Sequence, residues 1–211
     1  MQHVYIDETN KATLRSFTRN NYEVNGQISV VDGEVESITH RKGQVMQPCV
    51  TGCLLNFHTH PADYTTLYPD HPSSTDYKYI HTATCKFSEL SAHVICTPMF
   101  IYVVYYKCRN PIVQFFDFFT MSSRIQDSFD RLASTYDRST EDFRLAYASE
   151  MVELGFHVQR FRWEEDVRFE IPKFKSGAFK KIIIISIVIL SFFLIKKYMW
   201  WYKHGEQYSQ A

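Results

Sequence analysis

Neither sign of charge dominates this chain. Its 23 Lys and Arg are matched by 23 Asp and Glu, for a formal net charge of zero, which removes the electrostatic attraction that nucleic-acid binding rests on. No nucleic-acid partner is expected. Cysteine is sparse and odd in number (Cys49, Cys53, Cys85, Cys96, Cys108), and the amino terminus lacks the basic start and apolar run of a secretion signal. A disulfide framework is therefore not expected, and a reducing compartment is. Cys49 and Cys53 have a spacing compatible with half of a structural zinc site, but no second pair with ligand spacing follows. Glycine and proline are also few, seven of each, and neither a Pro/Gly-rich linker nor an internal repeat interrupts the chain before Lys173. A length of 211 residues then suits one substantial core plus an appendage.

One long apolar run is present. After the basic stretch that begins at Lys173, residues 182–195 are all apolar or small, and Lys196, Lys197, Tyr198, Trp200, Trp201 and Tyr202 follow. The run alone is shorter than the roughly 20 residues of a usual spanning helix. Lysines at both ends can snorkel, and the Tyr/Trp cluster suits the headgroup region, so residues 177–202 are expected to cross a thin bilayer. The run has no polar face with which to lie on a soluble core. The expectation is a single-pass C-terminal membrane anchor at 173–211, with the preceding domain on the cytosolic side.

Ahead of this tail the pattern is mixed α/β, of the α+β kind. A helix is expected over about 8–20, with Leu14 and Phe17 on one face, and strands over about 24–31 and 35–39 joined at Asp32-Gly33, a strong hairpin signal. Another strand runs into Phe57-His58, a helix begins near Ser74, and a β-rich stretch covers about 92–106. Ser123 and Gln126 have capping-box spacing ahead of a stripe of Ile125, Phe129, Leu132 and Tyr136. Ser139 is a candidate cap for a second helix that carries Phe143, Ala146, Met151 and Leu154 and stops at Gly155. Residues 156–163 and 167–171 read as a strand pair around a solvated acidic turn, Glu164-Glu165-Asp166. The expected division is a core at 1–109, a helical and hairpin extension at 110–172, and the tail.

The chemistry-bearing residues cluster in the middle of the core. His58 and His60 are two apart on an extended chain, which projects both imidazoles to one side. Ser73 and Asp76 lie one turn apart at a helix start. Two histidines and one carboxylate leave a fourth tetrahedral position open, as catalytic rather than structural zinc requires. Asp63, Asp70 and His71 are rival ligands that lack this helix-turn context.

His58-Thr59-His60-Pro61 followed by Ser73-x-x-Asp76 resembles the signature of the JAMM, or MPN+, zinc metalloprotease family. Glu23, in the context Glu23-x-x-Gly26 directly after the first expected helix, resembles that family's upstream glutamate. The resemblance covers about residues 1–107 and implies a mixed β-sheet flanked by helices. It further implies one catalytic Zn2+ held by His58, His60 and Asp76, with Glu23 as the proton carrier and Ser73 as a hydrogen-bond donor to the developing oxyanion. Glu34 and Glu36 are rival bases without that context. The implied substrates are conjugates of ubiquitin or a ubiquitin-like modifier. Alternatives are ordinary peptides or small amides, or an inert MPN-type structural role. The twelve residues between His60 and Ser73 exceed the family's usual separation, and lengthening a surface loop costs little. His3, His40, His81, His93, His157 and His204 read as ordinary residues.

Overall fold

The computed structural model describes residues 2–43, 55–61, 70–86, 92–107 and 111–172, together with 191, 195 and 196. Cys49, Cys53, Cys108, Asp63 and nearly all of the 177–202 anchor candidate lie outside the described residues. Among the described residues no helix is long and apolar enough to cross a membrane. The chain divides into two compact units, Met1–Phe174 and Lys175–Ala211.

Among the described residues the first unit is mixed α/β, one eight-stranded sheet with four helices. In chain order the elements are β1 (Gln2–Ile6), α1 (Glu8–Thr18), β2 (Val24–Val31), β3 (Glu34–Lys42), β4 (Leu55–Thr59), α2 (Ser74–Lys86), β5 (Ala92–Cys96), β6 (Phe100–Tyr106), α3 (Pro111–Thr135), α4 (Glu141–Glu153), β7 (Phe156–Arg162) and β8 (Val167–Ile171). The strands run in the order β7-β6-β5-β4-β2-β3-β1-β8. Asp7 caps α1 by accepting the Asn10 N–H at 2.7 Å. Asp32 and Gly33 both take positive φ between β2 and β3, which two-residue hairpin turns require.

The expected pairing of 156–163 with 167–171 is corrected. β7 bonds to β6 and β8 bonds to β1, so these strands form opposite edges of the sheet. Laid flat, seven inter-strand spacings of about 4.8 Å would separate those edges by roughly 34 Å. The connection from Arg162 to Val167 can span only about 18 Å. The sheet must therefore curl until its edges approach. The turn that joins them is not merely solvated: the ammonium of Lys11, only 3% exposed, donates to the Trp163 and Glu165 carbonyls at 3.2 and 2.8 Å.

The curl encloses one core and leaves a second outside. The enclosed core takes Val4, Ile6, Leu14, Ile28, Leu55, Phe57, Val94, Val103, Trp163 and Phe169, drawn from both edges of the sheet and from α1. The outer core takes Tyr77, Ile80, Ile95, Tyr102, Ile125, Phe143, Tyr147 and Met151, where α2, α3 and α4 pack. Two helix starts differ from expectation. α3 begins at Pro111, whose fixed φ and missing N–H suit a first helical position, so Ser123 is interior. Gln126 instead accepts from Lys78 of α2 and bonds Asp130. Thr140, not Ser139, caps α4, accepting the Phe143 N–H at 3.3 Å, while the Ser139 hydroxyl donates to Asp137.

Candidate metal centre

Strand β4 lies between β2 and β5 and carries the site on alternate residues. Its register places Asn25 opposite His58, Gly26 opposite Phe57 and Gln27 opposite Asn56 on β2, and Ile95 beside His58 on β5. Because side chains alternate across a strand, Leu55 and Phe57 enter the enclosed core and Asn56 and His58 face α2. The His60 N–H donates to the Cys96 carbonyl at 2.8 Å, which extends the ladder one residue and keeps His60 on the same side as His58.

α2 brings the carboxylate. Its start is a reciprocal cap: the Ser73 N–H donates to Asp76 Oδ2 at 2.6 Å and the Asp76 N–H donates to Ser73 Oγ at 3.2 Å. The first turn of a helix also favours a negative charge. Held in this way, Asp76 Oδ1 stands 3.1 Å from His58 Nε2, and Oδ2 stands 3.4 Å from His60 Nε2. The two Nε2 atoms are 3.0 Å apart. His58, His60 and Asp76 are 2%, 2% and 4% exposed, and one ligand atom from each lies within 4.8 Å of the others.

This donor set fits a metal ion. Two imidazole nitrogens cannot present lone pairs to one another at 3.0 Å, so the contact requires a proton or a cation between them. Ligands placed 2.0–2.1 Å from a tetrahedral ion stand roughly 3.3 Å apart, close to the 3.0–3.4 Å separations found here. Burial alone would raise the Asp76 carboxyl, but the His58 and His60 imidazoles outweigh it and hold the group well below the usual carboxylate range. Asp76 is an anion aimed at the two imidazoles.

Glu23 directly precedes β2, fixed by its backbone. Its carbonyl accepts the Gly43 N–H at 3.1 Å, and the following Val24 N–H donates to Thr59 Oγ1 at 2.9 Å, between the two histidines in sequence. Burial raises the Glu23 carboxyl above its ordinary value, partly offset by His58 and His60 and reinforced by Asp76. Those electrostatic couplings put Glu23 in the field of the cluster. Gly26 is required where it stands: a Cβ there would lie 1.9 Å from the Thr39 carbonyl oxygen and 2.8 Å from Phe57. That close approach accounts physically for the glycine three residues after Glu23.

Of the rival ligands, Asp70 and His71 are engaged elsewhere. Asp70 Oδ1 accepts the Met99 N–H at 3.3 Å. His71 bonds the Pro72 carbonyl through Nδ1 and packs against Phe143 and Tyr147. The rival bases Glu34 and Glu36 lie on β3, where Glu34 pairs with Tyr5 of β1.

One residue read as ordinary belongs to the site's surroundings. His93 of β5 sits beside Asn56 in the parallel register. Its Nε2 is 2.6 Å from His58 Nδ1, its Nδ1 bonds Asn56 Oδ1, and Asn56 Nδ2 donates to Tyr79 Oη at 2.9 Å. Burial holds His93 well below the ordinary histidine range. Only the β4–β5 register exposes this relation, because 35 residues separate His58 from His93. On the same sheet face a cavity of about 220 Å3 opens, lined by Asn25, Gln27, Thr39, Arg41, Asn56 and His93 among others.

Compared with protein families, curated proteins and solved structures, the chain matches none.

Proposed function

We propose that the protein is a zinc-dependent hydrolase of peptide or isopeptide bonds, of the JAMM type, that removes ubiquitin or a ubiquitin-like modifier at a membrane. The supporting observation is the convergence of His58, His60 and Asp76 in one buried cluster, with Glu23 in its field. His58, His60 and Asp76 would hold one Zn2+. Zinc in such a site lowers the pKa of a bound water to about 7 and polarises a carbonyl.

Glu23 takes a proton from the attacking water and returns it to the leaving amine. Burial raises its carboxyl above the ordinary value, the direction that helps a carboxylate hold the proton before it passes to the amine. The Ser73 hydroxyl accepts from the Asp76 N–H, which leaves its own proton to donate to the oxyanion that develops on the scissile carbonyl. Residues 177–202 anchor the protein, with the catalytic unit on the cytosolic side.

Metal analysis and di-ubiquitin cleavage by the full chain in detergent test the reading. One zinc per chain and chelator-sensitive cleavage are expected. Glu23→Gln should keep the zinc and lose about 10²–10⁴-fold in kcat. A protein free of zinc, or Glu23→Gln with unchanged turnover, rules out the mechanism. Zinc without di-ubiquitin cleavage moves the substrate to peptides or small amides.

A further inference from the structure

We propose that His93 is a positioning residue that, with Asn56, selects which nitrogen of His58 faces the cation. This deepens the metal-centre reading and rests on it.

A chain of hydrogen bonds leads from Tyr79 through Asn56 and His93 to His58. Asn56 Nδ2 donates to Tyr79 Oη, so the oxygen of the same amide is the atom turned toward His93. An amide oxygen only accepts. His93 Nδ1, in contact with that oxygen, must therefore carry a proton. Buried between an amide oxygen and another imidazole, with no carboxylate in hydrogen-bond contact to balance a charge, the His93 ring carries that one proton, and its Nε2 turns its lone pair toward His58 Nδ1, 2.6 Å away. His58 Nδ1 must donate, which leaves the His58 Nε2 lone pair directed at His60 and Asp76, 3.0 and 3.1 Å away. The orientation of one asparagine amide thus sets the tautomer of a ligand two rings distant.

Packing locks the same arrangement. His93 is 1% exposed and Asn56 4%, the His58 and His93 rings stack at 4.9 Å, and Tyr79 meets His93 edge-on at 5.4 Å. A ligating histidine commonly gives its second N–H to a carboxylate or a backbone carbonyl. Here a neutral imidazole takes that proton, so no second anion is buried behind a site that already contains Asp76. The cluster's charge stays confined to the face where a cation binds.

Zinc titration of the full chain against a chromophoric chelator separates this role from simple packing. His93→Leu keeps an apolar filler and removes the acceptor, and its zinc affinity should fall about 10–100-fold. His93→Gln, which can accept from His58 and donate to Asn56, should recover most of that loss. Both variants, stripped of metal, should unfold within a few degrees of one another. A second readout uses the wild-type protein alone: nitrogen-resolved NMR should show a His58 Nδ1 proton protected from exchange. Wild-type affinity in His93→Leu, equal losses in Leu and Gln variants, or an unprotonated His58 Nδ1 overturns the proposal. A wild-type chain that binds no zinc overturns the metal reading instead.

Discussion

Leu55 and Phe57 enter the enclosed core at 0% and 1% exposure, while Asn56 and His58, their immediate neighbours on β4, are 4% and 2% exposed on the opposite face. Depth does not distinguish the two faces. What differs is how burial is compensated. On the enclosed side apolar surface leaves water, and contacts with Leu14, Ile28 and Val94 supply the packing. On the α2 side each polar atom has lost water and needs a specific partner, because an unpaired buried group costs on the order of 1–3 kcal/mol. The relay from His58 through His93 and Asn56 to Tyr79 supplies those partners on one flank, and a proton or a cation is needed on the other. One face of the strand can be stable alone; the opposite face is completed by a proton or a cation.

The largest expected effect comes from exchanging damage between those faces. Phe57→Ala should cost about 3–5 kcal/mol in urea unfolding of chelator-treated protein, as truncation of a fully buried aromatic does. The molecules that remain folded should still bind zinc. His58→Ala should abolish zinc binding and cost less stability in the same metal-free assay. If the two variants lost equal stability and equal metal, the division between the faces would fail.

Acid should also separate the two sides. His71 packs among the outer-core aromatics, and burial, partly offset by its bond to the Pro72 carbonyl, lowers its pKa to about 4. The unfolded chain releases that proton near the ordinary value of about 6.5. The folded state therefore binds fewer protons between those values. This contribution to stability is complete above about pH 6.5 and is lost as pH falls toward 4, by up to about 3 kcal/mol. His81, also lowered to about 4 by burial, adds loss in the same window. The enclosed core is built of apolar side chains such as Leu14, Ile28, Leu55 and Phe57, which carry no charge to titrate in this range. Urea midpoints at pH 7.5 and 4.5 should converge in His71→Phe relative to wild type; an unchanged difference would show that His71 is not its source.

How far the sequence carried the reading depended on the distance over which each feature is determined. β2 and its turn were legible because alternation and Asp32-Gly33 act within a few residues. His58, His60, Ser73 and Asp76 were legible because a strand and a helix start fix their own side-chain directions. β1 was missed: five residues with little signal of their own are held by β8, more than 160 positions away. The pairing of β7 and β8 was misread for the complementary reason. A short turn between two strands implies a hairpin unless the whole sheet curls, and that curl is set by all eight strands together. His93 had no local motif, since its role follows from a parallel register with Asn56. The start of α3 was misplaced because Ser123 and Gln126 imitate a cap, whereas Gln126 is used to join α3 to α2.

The smallest expected change in stability tests the most ambiguous residue. Ser73-x-x-Asp76 is both the spacing of the proposed catalytic pair and the spacing of an ordinary helix cap, and the cap is visible in both directions. Removing the hydroxyl with Ser73→Ala should cost about 1 kcal/mol through the cap, whereas Ser73→Gly should cost only a few tenths, because glycine is tolerated at such positions. Both substitutions remove the same hydroxyl. If Ser73 acts only as a cap, turnover should follow stability and Ser73→Gly should remain close to wild type. If its hydroxyl meets the developing oxyanion, both variants should lose about 100-fold or more in kcat, the typical cost of one oxyanion donor, regardless of their difference in stability. Measuring kcat and unfolding free energy on the same two proteins therefore tells whether the feature shared by the fold and the chemistry serves one of them or both.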